Sequence, residues 1–400
     1  MKKVVILGAF DRYNYGDNLM PILFEIFLKE CYPRFFDNFN LVFSALIDSD
    51  LSQYKVKKTI AMSKVFKKNN DGVHSIISIG GEVLCASSST LFLHMDNPQR
   101  IVSFVSFLRN NRLTLLADLF CRYFYDLPWE YPYIPRNLSK KTRVAFNTIG
   151  GGVSRRNIGL YLHKIRGRLI QSSYLSVRDS RTKKSLNRFS SPLIFPDSAI
   201  VMARFISDNF IQNESRDKIN ALKEINYICV QAAPKKAGGA VEKFSEVLNF
   251  LSNKYNFKII LCPIGYARGH DDIDFLKEIK KLNHSDKNFE LMDGLNVWEI
   301  MSVIKYSKFF IGTSLHGVIT SLSFSVPYVG LNPEVKKLDE FLKDWGIKPS
   351  NRCYTINEVP IVFDAILSID KQFYKEHSNH LIDLALNNYH SLVDKLKLNE

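Results

Sequence analysis

The chain lacks most of the features that assign a protein to a class at a glance. No window approaches the roughly 18 uninterrupted apolar residues that a membrane span needs. The six cysteines, at 31, 85, 121, 229, 262 and 353, form no C-x-x-C pair, and two of them sit inside the apolar runs "YICVQ" and "IILCP". That usage excludes a disulfide framework and predicts a reducing compartment, the cytoplasm. Neither G-x-G-x-x-G nor a Walker loop occurs. RNP motifs, zinc-finger spacing and heptads beside a basic region are missing, which removes the usual routes to nucleic acid. The sequence holds no internal repeat and no low-complexity segment. The N-terminal "MKKVVILGAF" meets Asp11 and Arg12 with no small-residue cleavage site after it, so it reads as a buried strand and not as a signal peptide.

What is present describes a globular protein. Four hundred residues with 46% hydrophobic and 24% charged content suit two domains of roughly 100–200 residues each. The net charge of +14 predicts attraction to an anionic surface or an anionic substrate, the alternative being a solvated basic surface.

Strand runs alternate with helical periodicity along the chain. "KVVILGA", "LVFSALI", "SIISIGG" and "TRVAFNTIGGG" are apolar runs that end in turns, and "YLSVRDSRTKKSL" reads as strand, turn and helix. Residues 200–225 turn polar and form the candidate linker. A second series follows in "YICVQAA", "FKIILCPIG", "FELMDG", "KFFIG" and "VPYVGL", with helical segments between. This alternation predicts an α/β protein of two doubly wound, Rossmann-like lobes with parallel sheets. The expected boundaries are 1–205, 222–360 and a helical tail at 361–400 that packs back on the first lobe. The strand ends of the two lobes should then face each other across a cleft, a favoured place for a ligand.

Within that frame, "KFFIGTSLHGVITSLSFS" puts His316 on the first turn of a helix that follows a strand. Unpaired N–H groups and the positive end of the helix dipole make such a turn a seat for phosphate or carboxylate. "NTIGGGVSRR" offers three glycines with Arg155 and Arg156 as a second anion turn, or a simple tight turn. Glu82 in "IGGEVL" is either a base near a sugar hydroxyl or an early-helix carboxylate. Asp17, after Gly16, either bonds acceptor hydroxyls or caps the helix that follows. His270, Asp271 and Asp272 sit at a helix start, where capping chemistry is the usual role, and no metal site is expected.

The order N-Y-G-D-N, I-G-G, "SVRDSRTKKSL", "FPDSAI" and "GTSLHGVITSLSFSVPYVGL" resembles the polysaccharide pyruvyl transferase family. The resemblance runs from about residue 5 to about 345. Its most specific parts are Val177–Thr182 and Ser314–Pro327, with Asn14 to Asn18 in support. It implies two lobes of the GT-B kind and an enzyme that moves an enolpyruvate-derived group from phosphoenolpyruvate to a sugar, forming a ketal and releasing phosphate. No cofactor is implied, phosphoenolpyruvate being a co-substrate. On this resemblance the first lobe takes the acceptor and the second the donor. His316 is the expected acid–base or phosphate-handling residue, Arg178 the anion clamp and Asp17 an acceptor contact. Ser314, Leu315, Gly317, Lys235, Arg268 and His270 are expected on the donor side. Asn14, Tyr15, Gly81 and Glu82 are expected on the acceptor side. Many members carry an arginine where this chain has Ser314, so Arg178, Lys235, Arg268 or Arg143 should supply the missing cation.

Two further expectations complete the reading. Residues 100–136 interleave Phe, Tyr, Trp and Leu with five arginines, a pattern that suits either a bilayer interface or an ordinary helical pair packed on the sheet. The expected partners are therefore phosphoenolpyruvate, a sugar acceptor on a lipid-linked oligosaccharide and an anionic membrane surface, placing the protein at the inner face of the cytoplasmic membrane. The alternative function is a nucleotide-sugar glycosyltransferase, for which Glu299 or Glu334 would have to grip a ribose.

Overall fold

The computed structural model describes all residues except 67–71, 137, 152–164, 189, 267–271, 400 and the side chain of Cys85. Thirteen described strands fall into two sheets. The first contains β1 (Lys2–Leu7), β2 (Phe39–Ala45), β3 (Ile60–Ala61), β4 (Val73–Ile79), β5 (Arg143–Ile149), β6 (Tyr174–Val177) and β7 (Leu193–Ile194). Its order is β3-β2-β1-β4-β5-β6-β7. The second contains β8 (Tyr227–Gln231), β9 (Lys258–Leu261), β10 (Phe289–Leu291), β11 (Phe309–Gly312), β12 (Tyr328–Leu331) and β13 (Cys353–Tyr354), in the order β10-β9-β8-β11-β12-β13. Every pairing between these strands is parallel.

The sequence dictates this layering directly. A parallel strand covered by helices on both faces must be apolar throughout, and "VVIL", "YICV" and "FFI" are buried at every position. In both sheets the order reverses beside the first strand, between β1 and β4 and between β8 and β11. These switch points open a crevice at the carboxyl ends of the strands. The turns after β1, β4, β5 and β11 all lie there, which is why the glycine-rich segments cluster at one end of the molecule.

The expected linker is a folded connector. Residues 200–225 form short helices at Met202–Phe205, Asp208–Glu214 and Asp217–Asn220, held by buried Ile206, Ile211, Ile219 and Leu222. Polar letters outnumber the apolar ones in this stretch, so composition hides the buried side chains that anchor it.

Contacts between the lobes are extensive. The Tyr13 hydroxyl donates to the Leu295 carbonyl at 2.6 Å, and Tyr15 N–H donates to the Ile264 carbonyl at 3.3 Å. Ser180 N–H donates to Asp344 at 2.6 Å, and the Trp345 indole N–H donates to the Arg178 carbonyl at 2.8 Å. The helix Lys371–Leu396 runs across both lobes. Its Ser378 hydroxyl donates to the Ser323 carbonyl in the second lobe at 2.8 Å. Ten residues later, the Asn388 amide donates to Asn147 Oδ1 at 2.6 Å and its oxygen accepts from the Tyr174 hydroxyl at 2.8 Å, both in the first lobe.

Asn388 is fully buried, so Asn388→Ala would take the donor from the Asn147 amide oxygen and one acceptor from the Tyr174 hydroxyl. The expected cost is about 1–3 kcal/mol, seen as a lower urea or thermal midpoint than the parent's.

Candidate active site

His316 sits where two helix starts meet. β11 ends at Gly312, and Thr313 N–H then donates to Gln231 Oε1 at 3.0 Å, which fixes the turn. Ser314 takes extended backbone as the N-cap of the helix Leu315–Ser323, and its hydroxyl accepts from Gly317 N–H at 3.3 Å. This places His316 second in the helix, with its side chain only 11% exposed. From the first lobe, Gly16 in the opening turn of the helix Tyr15–Cys31 presses against the ring. A Cβ on Gly16 would fall 1.8 Å from Nδ1 and 2.0 Å from Cγ of His316. One residue before, the Tyr15 hydroxyl shares a hydrogen bond of 2.9 Å with Thr320, and Thr320 donates to the His316 carbonyl at 2.8 Å.

The other edge of the imidazole faces a buried ion pair. His316 Nε2 lies 3.8 Å from Asp197 Oδ2, and that oxygen accepts from Arg178 Nη1–H at 3.1 Å. Asp197 Oδ1 accepts from Ala199 N–H at 3.1 Å. Arg178 Nε lies 3.8 Å from Asp179, whose Oδ1 caps the helix Ser180–Leu186 through Thr182 N–H at 2.7 Å. Arg178, Asp179 and Asp197 are all buried. Among the described residues, His316 Nε2, Arg178 Nε and Asp179 Oδ2 are buried polar atoms without a hydrogen-bond partner, and they converge here.

The preceding strand is bent to make this pocket. Pairing of β5 with β6 shifts register between Phe146 and Ile149, and Thr148 has φ of +43°. A β-branched residue is strained in that region, typically by about 1–3 kcal/mol. Its N–H donates to Ser176 at 2.9 Å and its hydroxyl donates to Ser198 at 3.1 Å, so the conformation is held from both sides. The bend delivers Gly150 against the guanidinium, where a Cβ would meet Arg178 at 2.7 Å.

The cleft in front of these groups has a volume of about 1000 Å³. Its lining holds Arg12, Arg178, Arg181, Lys235, Lys236, Lys336 and Lys337 against Asp17, Glu82, Asp272 and Glu334, so cations prevail. Burial lowers the pKa of His316; Asp197 and Asp17 oppose that shift, and Arg178 and Lys337 add to it. Burial, with Lys337 nearby, brings Lys236 down to about 8. Burial would push Arg178 down, but Asp197, Asp179 and Glu82 more than offset it and the group is held firmly charged. For Glu82, burial is outweighed by Lys337, Arg178 and Arg181, leaving its pKa lowered.

Against this geometry the comparisons are direct. The family model of polysaccharide pyruvyl transferase matches residues 14–334. The chain belongs to this family. Membership makes it a transferase of polysaccharide biosynthesis. Among curated proteins, none matches the sequence. Solved structures share the two-lobed GT-B arrangement. UDP-GlcNAc 2-epimerase from Neisseria meningitidis, bound to UDP-GlcNAc, aligns at TM-score 0.56 and 11% identity over 99% of this chain and 100% of its own. The same enzyme from Methanocaldococcus jannaschii, with UDP-GlcNAc and UDP, aligns at 0.51 and 12% over 93% and 94%. A UGT transferase from Siraitia grosvenorii, in complex with UDP, aligns at 0.53 and 8% over 99% of both chains. At such identities the likeness establishes the fold alone.

In this pyruvyl transferase fold, many of the residues expected at the site line one cleft. Asn14, Asp17, Gly81, Glu82, Arg178, Lys235, Ser314, Leu315 and His316 all border it. Asp17 is in the first turn of its helix and is not the cap, which is Asn14. Tyr15 turns away, its buried hydroxyl bonded to Thr320 between the lobes. Gly317 packs under the Phe310 ring. Arg143 is misplaced by the sequence reading: it starts β5 at the far end of the sheet, where Nη1 meets His74 at 2.9 Å and the Leu396 carbonyl at 3.3 Å. Glu299 is also away from the cleft, committed to its helix cap and to Arg216 at 2.6 Å, whereas Glu334 borders it. Arg155, Arg156, Arg268, His270 and Asp271 lie outside the described residues. Asp272 closes the turn after β9, accepting from Gln231 at 2.8 Å and from Ile264 and Gly265 N–H at 3.1 and 2.9 Å. Gly16, Asp197, Lys236 and Lys337 were not singled out from sequence, although "FPDSAI" and the N-Y-G-D-N turn carried the first two.

Gly16→Ala should displace the imidazole and lower transferase turnover by about 100-fold or more, since misplacement of a reacting group by 1 Å has that scale. Gly167→Ala is the control: a Cβ there meets nothing within 4 Å, and turnover should be unchanged.

Proposed function

We propose that the protein transfers the pyruvyl group of phosphoenolpyruvate to two hydroxyls of a sugar in a bacterial surface polysaccharide or its lipid-linked precursor, closing a cyclic ketal. The observation that carries this reading is the convergence of His316 Nε2 and Arg178 Nη1 on Asp197, with His316 Nε2 and Arg178 Nε lacking hydrogen-bond partners, at the wall of a cleft rich in cations. Family membership supplies the reaction class, and the cleft suits a small donor bearing both phosphate and carboxylate.

The reaction needs a proton moved and two anions held. Protonation of the donor methylene makes C2 electrophilic. A first sugar hydroxyl then forms a C–O bond to C2 and loses its proton. The C2–O bond to phosphate breaks, and a second hydroxyl closes the ring. The two hydroxyl protons balance the new methyl hydrogen and the proton taken by phosphate. His316, neutral at pH 7 because burial lowers its pKa, is suited to accept the first hydroxyl proton. The Asp197 carboxylate at 3.8 Å favours the imidazolium that results, and Arg178 holds Asp197 in place. The helix start at Ser314–His316, with Lys235, Lys236 and Lys337, offers the donor's anions the positive charge that an arginine at 314 would provide. No step requires a metal.

Thermal shift separates this reading from a nucleotide-sugar glycosyltransferase. Phosphoenolpyruvate at 100 times its Kd should stabilise the protein by about 2.7 kcal/mol. Stabilisation by UDP-, GDP- or CMP-sugars and not by phosphoenolpyruvate would overturn the proposal. His316→Asn should cost about 10²–10⁴ in kcat with an unchanged melting temperature. Arg178→Ala is a poorer probe, because it leaves Asp197 buried without its counter-charge at a cost of about 3–5 kcal/mol.

The pH profile follows from the two shifted groups. Activity requiring neutral His316 rises with pH through a value below the ordinary 6.5. Donor binding that uses charged Lys236 weakens as pH rises through about 8. In Lys236→Arg that alkaline loss of kcat/KM should vanish while the acid limb stays in place.

A further inference from the structure

The connection from β4 to β5 carries helices at Ser88–Leu93, Gln99–Asn110 and Thr114–Phe124. They pack around a small core of their own: Phe92, Val102, Val105, Leu108, Ala117 and Cys121. That core accounts for one face of each long helix. The exposed face of Thr114–Phe124 is apolar, Gln99–Asn110 adds Phe104 and Phe107 among polar neighbours, and these side chains stand open to solvent. Phe104, Phe107, Leu113, Leu115, Leu116, Leu119, Tyr123 and Phe124 are each at least 42% exposed, with Tyr123 at 78%. These eight are nearly half of the seventeen exposed large hydrophobics among the described residues, concentrated in twenty-one positions. A soluble surface helix would carry polar side chains there.

Within the pair itself the exposed charges are arginines, while Asp96 and Asp126 lie exposed just beyond its two ends. Arg100 and Arg112 are exposed, and Arg122 is half-buried. The lone carboxylate between residues 99 and 124, Asp118, is turned inward and accepts from Ser89 N–H at 2.9 Å. No described helix is long and apolar enough to cross a membrane. Exposed Leu and aromatic side chains flanked by arginine are the composition of a helix that lies in a bilayer interface.

We propose that the helical pair Gln99–Asn110 and Thr114–Phe124 docks the protein on an anionic bilayer. Phe107, Leu115, Leu116, Leu119 and Tyr123 enter the headgroup boundary, and Arg100 and Arg112 meet lipid phosphates. The inner side of the same helix borders the cleft, where Val102 and Ser106 line it together with Leu91 and Leu93. A sugar carried on a membrane lipid therefore reaches the site while its anchor stays in the bilayer. This last step rests on the pyruvyl-transfer reading; the docking surface does not.

The test is flotation of the full chain with phosphatidylcholine–phosphatidylglycerol vesicles and with pure phosphatidylcholine vesicles. Parent protein should float with the anionic vesicles, less so as salt rises. L116E/Y123E and R100E/R112E should each bind about tenfold more weakly or worse. Both variants should keep the parent's thermal shift with phosphoenolpyruvate, because none of the four residues borders the cleft. Parent protein that stays with the soluble fraction, or variants that float like the parent, would overturn the docking surface. So would a parent dimer in gel filtration that L116E/Y123E splits to monomers. Vesicle binding without any shift from phosphoenolpyruvate would overturn the chemistry and leave the docking intact.

Discussion

The site depends on one close approach, that of the His316 imidazole to the backbone of Gly16. Each partner sits in the first turn of a helix that follows the first or fourth strand of its sheet, and the two helices belong to different lobes. The ring fills the volume a side chain at 16 would take, so the lobes must dock before the histidine has its final orientation. Tyr15 and Thr320, each close by in sequence, fasten the same contact with a hydrogen bond. Docking of the lobes and assembly of the site are one event.

Behind the histidine the structure keeps a charge pair in a place where charge is costly. Arg178 and Asp197 are both buried, and such a pair lends orientation more reliably than stability. The strained Thr148 and the close-packed Gly150 show how much backbone is arranged to hold it. Arg178 thus acts first on Asp197, and through it on His316, while its Nε lies 3.8 Å from Asp179 without a hydrogen-bond partner.

The central strands were legible in the sequence because burial on both faces writes them as unbroken apolar runs. The edge strands β3, β7 and β13 were not: each is two residues long, and "IA", "LI" and "CY" carry no period. His316 was legible because a strand, a glycine and a hydroxyl cap precede it within five residues. Asp197 was harder, since its importance lies in a partner nineteen residues earlier and another in the opposite lobe. Arg143 and Tyr15 misled for a shared reason. Residue type suggests chemistry, but the strand end at which a side chain emerges, or the face of a helix it occupies, decides whether it reaches the cleft. The hairpin at 99–124 left two readings open, and the docking proposal rests on the solvent exposure of its apolar side chains, which letters alone do not give.

The helix Lys371–Leu396 has a mechanical consequence. Between its bond to Ser323 in one lobe and its bonds to Asn147 and Tyr174 in the other lie ten residues, or about 15 Å of rigid rod. A rod pinned at both ends resists any motion that changes the distance between its pins. The strut therefore holds the lobes against hinging widely apart, so the width of the cleft is set by the length of helix between the two pins.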